Sequence, residues 1–270
     1  MDWTDNQIMP ATDPLEPDRI KANLNTRRIG SEIIVYDSTS NTNDVAAEYA
    51  KSGKNDGLAI FAEEQTSGRG RAGNKWICGK ADGLICSIVL TKSRCSAELL
   101  SLACAVAVAE TIGKQGKHRA KIKWPNDITI NGKKAAGILI ESDTSGDVPA
   151  YVVGIGINCH QKQDSFPPEL QPLATSIDIE SGTLCDRVSL AKRLLTSIDH
   201  WLEIAEQTDK KVIDQWRKLS IQLGHRVTLV FNGRKFTGHC IGIDPDKGLT
   251  LQLDNGTPGF FPAAHTTVVR

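Results

Sequence analysis

The chain has 270 residues, enough for one or two domains with a sizeable core, and its 32 Lys and Arg residues balance its 32 Asp and Glu residues. Because the net charge is zero, bulk charge gives no argument for a nucleic-acid or anionic-membrane partner. Seven cysteines without a C-x-x-C pair favour reduced thiols in a cytoplasmic protein over disulfides or a zinc site, and no apolar run is long enough to predict a membrane span.

The polar first segment, residues 1–18, has no apolar signal core and is predicted to be disordered. A short helix from Arg19 to Arg28 and a strand from Glu32 to Tyr36 are expected next. Residues 37–44 are then dense in helix N-cap formers, and a helix is expected from Ala46 to Lys51. Capping alone could explain this cluster. The alternative is that its hydroxyls, amides and free N–H groups bind a polar ligand.

The loop at residues 63–76 follows an apolar run that predicts a buried strand. It holds three glycines, which allow a ligand to approach the backbone, and two arginines, which suit carboxylate or phosphate. It ends on Trp76, whose face could stack on a flat ring. A mobile, solvated loop is the alternative interpretation. Residues 68–73 satisfy G-x-G-x-x-G, but no helix follows them, so we reject a Rossmann fold; no Walker A sequence occurs either.

The middle of the chain predicts an antiparallel sheet beside helices. Ala97 to Lys114 is alanine-rich and apolar on most faces, as in a core helix. Four strands in a row, joined by tight turns, favour antiparallel pairing over βαβ repeats. They span residues 120–124, 128–130, 135–141 and 150–158. Residues 164–182 are predicted to form a loop, and helices are expected from Ser189 to Glu206 and from Lys211 to Leu219. Short alternating strands after Gly224 predict a small β-barrel.

Two lysines on neighbouring strands, Lys123 and Lys134, invite two interpretations. Lysines on a sheet are most often solvated edge charges. They could instead converge with Arg69 and Arg71 on one anionic point. Such a site would suit phosphoryl or nucleotidyl transfer, where catalysis is mainly positioning and charge stabilisation.

Four segments, in this order, resemble the biotin–protein ligases. They are Gly68 to Trp76 (GRGRAGNKW), Lys123 to Asp127 (KWPND), Lys134 to Glu141 (KAAGILIE) and Gly154 to Asn158 (GIGIN). The resemblance covers about residues 19–270 and is to the monofunctional type, without an N-terminal DNA-binding domain. It implies an α+β fold: a mixed, largely antiparallel sheet with flanking helices, similar to class II synthetases, over residues 19–221. It also implies an SH3-like β-barrel over residues 222–270.

The resemblance implies a two-step ligase. Biotin reacts with ATP to give biotinyl-5′-AMP and pyrophosphate, and a lysine of a biotin carboxyl-carrier domain then takes the biotinyl group and releases AMP. Mg²⁺ is implied as the partner of the phosphates. The implied catalytic residues are Lys123, Arg69 and Arg71. The implied biotin-binding residues are Asn41, Thr42, Asn43, Gln65, Arg69, Gly70, Arg71, Lys134 and Gly137, and the implied nucleotide-binding residues are Trp76, Lys123, Asn126 and Asn158; no protein metal ligand is implied.

The sequence departs from the family at two positions, with Asn41 where the family usually has Ser and Asn74 where it often has Arg. Two alternatives stay open: a lipoate–protein ligase, which shares the fold and chemistry, and a non-enzymatic sensor of biotin or its adenylate. The roughly 30 residues before the first strand cannot hold a helix-turn-helix, so no operator binding is expected. An exposed sheet edge near Ala150 to Asn158 could pair into a homodimer.

Overall fold

The computed structural model describes residues 13–114, 119–143 and 150–269, and its larger part is a seven-stranded sheet. The strands are β1 (Ile33–Tyr36), β2 (Ala59–Ala62), β3 (Gly83–Leu90), β4 (Lys121–Lys123), β5 (Asp127–Ile130), β6 (Lys133–Asp143) and β7 (Ala150–Asn158). Their order is β1-β2-β3-β7-β6-β5-β4, with β1 and β2 parallel and the other neighbours antiparallel. The predicted mixed, largely antiparallel sheet is confirmed.

Within the described residues, six α-helices accompany the sheet: α1 (Pro17–Lys21), α2 (Thr42–Ala50), α3 (Ala97–Gly113), α4 (Ile177–Ser181), α5 (Arg187–Gln207) and α6 (Asp209–Leu219). Helix α3 contacts the sheet on one side and α5 and α6 on the other, which is why nearly all of its surface is apolar. The main core therefore lies between α3 and one face of the sheet, with Leu84, Ile88 and Ile157 among its buried members.

The opposite face of the sheet is covered only in part. Helix α2 packs there over β2, β3 and β7, and Ala46 of the helix joins Ile60 and Val89 in a second buried cluster. Beyond α2, strands β6 and β7 present glycine at alternating positions: Gly137, Gly154 and Gly156. Since residues two apart share a face of a strand, these glycines leave a hollow beside the N-terminus of α2.

A second sheet of five antiparallel strands follows. Its strands are β8 (Arg226–Phe231), β9 (Arg234–Asp244), β10 (Gly248–Leu253), β11 (Pro258–Phe261) and β12 (Thr266–Val268), in the order β11-β10-β9-β8-β12. The Asn232-Gly233 turn has positive φ at both residues (49° and 76°), as a two-residue hairpin turn requires. Phe231, Phe236 and Phe261 pack together inside it.

Specific contacts join the second sheet to the first part of the chain. The Ser96 hydroxyl donates to Pro245 O at 3.0 Å, and Ala263 N donates to the Glu98 carboxylate at 2.6 Å. The Gln222 amide bonds both backbone groups of Trp124, at 2.7 and 2.9 Å. The segment around Ala263 is thereby held close to the start of α3.

Four sequence predictions are wrong in detail. Disorder over residues 1–18 fails for the described part, residues 13–18, because Leu15 is buried and its N–H donates to Glu63 at 2.7 Å; residues 1–12 lie outside the described residues. The first helix ends at Lys21, and the second begins at Thr42, because Asn41 accepts from Asn43 N and caps it there. The 164–182 loop contains the short helix α4.

The expected sheet edge at Ala150 to Asn158 is also wrong. Strand β7 lies between β3 and β6 and is hydrogen-bonded on both sides, so it offers no free edge for a partner chain. The outer strands of the large sheet are β1 and β4.

All seven cysteines are free, and six of them are buried, which agrees with the predicted reduced core thiols. Within the described ranges no helix combines the length and apolar character needed to cross a membrane.

Candidate functional site

The hollow beside α2 has a floor of glycines. A Cβ atom on Gly156 would lie 2.5 Å from Cε2 of Trp76, and one on Gly154 would lie 2.3 Å from the Asn43 Oδ1 atom. Gly137 pairs directly with Gly156, and a Cβ there would come within 3.2 Å of the same indole. The absence of side chains on this floor therefore lets Trp76 and Asn43 approach the sheet backbone.

Two cavities open from this floor. A narrow one of about 50 Å³ is lined by the three floor glycines, the 41–43 cap cluster, Gln65, Gly70, Asn126 and Lys134. A wide cleft of about 1100 Å³ is lined by the glycine-rich loop from 65 to 78, by residues 139–141 and by residues 264–267 of the second sheet. Arg69, Gly70 and Trp76 border both cavities, so the loop forms the boundary between them.

A buried hydrogen-bond cluster forms one wall of the narrow cavity. The Gln65 carbonyl oxygen accepts from Thr42 N at 2.7 Å and lies 2.9 Å from the Thr42 hydroxyl. The Ser87 hydroxyl contacts Thr42 Oγ1 at 2.7 Å and Asn43 Oδ1 at 2.6 Å. Asn41, Thr42, Asn43 and Ser87 are all buried. The predicted polar cluster is thus both a helix cap and a cavity wall.

The cluster has fewer protons than acceptors. The Asn43 amide nitrogen donates to Glu141, so its oxygen faces Ser87 and takes the Ser87 proton. The Thr42 hydroxyl then has one proton for two neighbours, Ser87 and Gln65. Spare acceptor capacity therefore remains at this wall of the cavity, which suits a ligand that donates N–H groups.

Arg69 is held by two carboxylates. It makes a bidentate pair with Asp44 at 2.7 and 2.8 Å and lies 3.4 Å from both oxygens of Glu141. The Arg69 hydrogen bond keeps the pKa of Asp44 below its usual value, and the Asp44 hydrogen bond raises the pKa of Arg69. This guanidinium is an ion-pair partner in the protein as it stands.

Arg71 reaches the second sheet. Its guanidinium donates to Ala263 O and lies 3.4 Å from both Thr266 O and the Asn126 side-chain oxygen. Burial lowers the pKa of Arg71 and raises the pKa of the nearby Glu98 carboxyl. Arg71 thus places a half-buried cation between the glycine-rich loop and the second sheet.

Lys134 lies at the floor itself. Its Nζ atom pairs with Asp127 at 2.5 Å, lies 5.8 Å from the centre of the Trp76 ring and would be 3.3 Å from a Cβ on Gly137. Lys123 is the β-ladder partner of Asp127, and Asp127 is the partner of Gly137. Lys123 therefore belongs to the same row of the sheet, but it lines neither cavity.

The other predicted residues also divide into those that line a cavity and those that do not. Asn126 lines the narrow cavity and donates to Ile138 O at 3.0 Å. Asn158 lines neither cavity, and its amide is bonded to Thr175 O at 2.9 Å and to Gln161 at 3.2 Å. Asn74 lines the wide cleft, and its side-chain amide donates back to Arg71 O at 2.8 Å. The structure thus gathers Arg69, Arg71 and Lys134 around the cavities and leaves Lys123 and Asn158 outside them.

Sequence reasoning did not single out Ser87, Asp127 or Glu141 as site residues, nor Asp44 as the partner of Arg69. Ser87 had a signal, since it is a polar residue within the apolar strand β3, which is buried along its whole length. Asp44 and Glu141 lie inside segments that the sequence analysis had already singled out. Their pairing with Arg69 could not be predicted from the sequence. Across the described ranges, no group of three or more His, Cys, Asp or Glu side chains is placed to hold a metal ion.

Comparison with known proteins gives consistent matches. The model of the biotin/lipoate A/B protein ligase family matches residues 35–158. The bifunctional ligase/repressor BirA of Bacillus spizizenii is 31% identical over 253 residues, which cover 92% of this chain and 78% of that protein. The biotin–[acetyl-CoA-carboxylase] ligase of Mycobacterium tuberculosis is 29% identical, with 92% and 96% covered. The structure of an Aquifex aeolicus biotin protein ligase with biotin and ATP matches with a TM-score of 0.77 and 25% identity, covering 89% of this chain and 99% of that one.

Proposed function

This chain belongs to the biotin/lipoate A/B protein ligase family, and we propose from that premise that it is a biotin–protein ligase. It activates biotin with ATP and attaches it to a lysine of a biotin-carrier domain, such as that of acetyl-CoA carboxylase. In the first step a carboxylate oxygen of biotin attacks the α-phosphorus of ATP, and the bond to pyrophosphate breaks. In the second step the neutral amine of the acceptor lysine attacks the acyl carbon of biotinyl-5′-AMP, loses a proton and expels AMP.

One geometric observation supports this proposal above the others. A polar, proton-poor cluster and the Lys134 ammonium line one narrow cavity over a glycine floor, and Arg71 lines the cleft that adjoins it. The ureido ring of biotin donates two N–H groups and accepts at its carbonyl, so it complements Thr42, Gln65 and Ser87. Its carboxylate tail would extend towards Lys134 and Arg71.

The cations have a clear electrostatic task in the first step. A carboxylate must approach a polyphosphate, and their mutual repulsion must be offset. In this proposal Lys134 lies at the junction of carboxylate and α-phosphate, Arg71 serves the phosphates from the loop, and Trp76 packs against the adenylate. Positioned charge of this kind acts most strongly in a site from which water is excluded.

Lys123 and Asn158 keep their proposed roles with less geometric support. Lys123 lies in the same row as Asp127 and could reach the phosphates from the edge of the floor. Asn158 would have to release Thr175 or Gln161 to bind the nucleotide.

Mg²⁺ enters this proposal as part of the nucleotide substrate. Mg²⁺ at phosphate sites is held by the phosphates with one or two carboxylates. Asp127, which pairs with Lys134 beside the floor, is a carboxylate of the required type.

The acceptor and the cellular setting are part of the proposal as well. A biotin carboxyl-carrier domain would present its lysine through the wide cleft between the loop and the second sheet. The free, buried thiols support a reducing compartment, and we propose the cytoplasm. We further propose that no DNA is bound, in keeping with the neutral net charge. A homodimer would have to use a surface other than β7.

Biotin-dependent exchange of labelled pyrophosphate into ATP tests the proposal directly, because it reports the first step alone. We expect exchange with biotin and none with lipoate at the same concentration. Exchange with lipoate would identify a lipoate ligase. Tight biotin binding without exchange would favour the sensor, and transfer to a carrier-domain lysine completes the test of the second step.

A further inference from the structure

The Arg69 guanidinium is already neutralised by carboxylates from two different elements. Asp44 lies in the first turn of α2, and Glu141 lies in β6. With one positive and two negative charges in contact, this group carries a local net charge of −1. Such a cluster repels a carboxylate or a phosphate, unlike Arg71, whose guanidinium is bonded to neutral oxygens.

The loop that carries Arg69 is folded into a compact hairpin. Gly70 N donates to Asn74 O at 2.7 Å, and Trp76 N donates to Gly68 O at 3.0 Å. Arg69 and Lys75 face each other across this hairpin as an isolated β-bridge. A contact that holds Arg69 in place therefore also holds the rest of this hairpin, including the indole of Trp76 above the glycine floor.

We propose that Arg69 is a positioning residue that tethers the glycine-rich loop to α2 and β6, and that it does not ligate the substrate's carboxylate or phosphate. The tether holds Trp76 and Arg71 over the cavity while the activated intermediate is bound. Its loss opens the loop, so that biotinyl-5′-AMP escapes before a carrier lysine arrives. This inference rests on the proposed ligase function for its kinetic consequence only.

Asp44 is the position that separates the two roles of Arg69. Replacing Arg69 would remove a tether and an anion ligand alike. The Asp44 side chain lines neither cavity, and its hydrogen bond with Arg69 lowers the pKa of its carboxyl. Glu141 is less suitable, because it also accepts from the Asn43 amide at 2.6 Å and would disturb the polar cluster.

The test compares Asp44→Asn with Glu48→Gln, a matched control on the same helix whose carboxylate pairs with Lys51 at the surface. Biotinyl-5′-AMP is formed on each protein, and its release is followed together with labelling of an unrelated protein. We expect Asp44→Asn to release the adenylate about two- to fivefold faster, in line with an exposed ion pair. Pyrophosphate exchange should stay near wild type. Release equal to that of Glu48→Gln overturns the proposal.

A charge exchange separates tethering from anion binding. Arg69→Asp alone should release biotinyl-5′-AMP much faster than wild type. The double variant Asp44→Arg with Arg69→Asp should retain the adenylate better than Arg69→Asp, because the ion pair is rebuilt with the charges exchanged. If Arg69 were an anion ligand, the double variant would leak as much as Arg69→Asp, and the proposal would be wrong.

A third measurement does not depend on ligase activity. Chymotrypsin cleaves after Trp76 when the loop opens, so cleavage at Trp76 should be faster in Asp44→Asn than in wild type and in Glu48→Gln. If the wild-type protein showed no biotin-dependent pyrophosphate exchange, the proposed ligase function would be wrong. The cleavage rates would still show whether Asp44 and Arg69 hold the loop in place. Equal cleavage in all three proteins overturns the tether whatever the activity.

Discussion

The indole of Trp76 lies against the backbone of Gly156, and a Cβ on that glycine would come within 2.5 Å of the ring. A Cβ on neighbouring Gly137 would lie 3.2 Å from the same ring. The tryptophan of the loop and the glycine of β7 are separated by 80 residues in the sequence. Their contact defines how far the loop closes over the floor.

We expect Gly156→Ala to displace Trp76 and to reduce biotin-dependent pyrophosphate exchange at least about tenfold, a barrier change of about 1.4 kcal/mol. Gly53→Ala is the matched control, because Gly53 has no neighbour within 4 Å of an added Cβ and does not need positive φ. Urea unfolding of both variants would show whether the fold is preserved. Wild-type exchange in Gly156→Ala would contradict the proposed role of the floor.

Ser87→Ala should weaken biotin binding. The hydroxyl contacts Thr42 and Asn43 in a buried setting, and its loss leaves the Asn43 oxygen without a donor, at a cost of about 1–3 kcal/mol. Part of this cost would appear as lower stability and part as a higher KM for biotin, with the KM for ATP nearly unchanged. Ser165→Ala, at an exposed serine, serves as the control. Equal KM increases for both substrates would argue against a role at the biotin end.

Lys134→Ala should reduce the rate of adenylate formation more than Lys123→Ala does. Lys134 lines the cavity and approaches Trp76 and the floor, whereas Lys123 lies two strands further out, on β4. Single-turnover measurement of biotinyl-5′-AMP formation separates this rate from substrate binding. Lys133→Ala, the neighbouring β6 lysine outside both cavities, controls for general charge. A larger loss of this rate in Lys123→Ala than in Lys134→Ala would show that Lys123 is the main source of charge stabilisation.

A partly buried ion network away from the cavities should make stability depend on pH. His160 contacts Asp13 at 3.5 Å and Asp178 at 2.7 Å, and hydrogen bonds to these two carboxylates raise its pKa to about 10. Since the folded pKa lies above the unfolded value, the contribution is fully present below about pH 6.5 and is lost as pH rises through about 10.

Urea unfolding between pH 6 and pH 10 measures this effect. We expect the wild-type free energy of unfolding to fall by something on the order of 2 kcal/mol more than that of His160→Gln over this range. Parallel curves for the two proteins would show that His160 does not titrate in this way.

Local features of the fold were predictable from the sequence. Alternating apolar residues predicted strand β4, and the tight turns after it marked strands β5 to β7. The structure has hairpin turns with positive φ at Asn131-Gly132 and at Asn232-Gly233. The apolar helix α3 was predicted within one residue of its observed end. These features depend on residues close together in the chain, so short-range periodicity and turn chemistry were enough to identify them.

Features set by distant partners were not predictable in the same way. Pairing with β3 places β7 inside the sheet, contrary to the expected free edge. Residues 13–15, expected to be disordered, are held by Glu63 and by the buried Arg187, whose Nε donates to Asp13 at 2.8 Å. Such contacts join residues 48 to 174 positions apart, and no local pattern reports them.

The sequence by itself determined the glycine-rich loop, the polar cap cluster, the two lysine-bearing strands and, through their order, the family. Only the tertiary structure decided how these charges are shared: Arg69 with Asp44 and Glu141, Arg71 with the second sheet, and Lys134 with Asp127. The reason is that residue type fixes the charge of a side chain, whereas its role depends on which opposite charges the fold brings within about 4 Å of it.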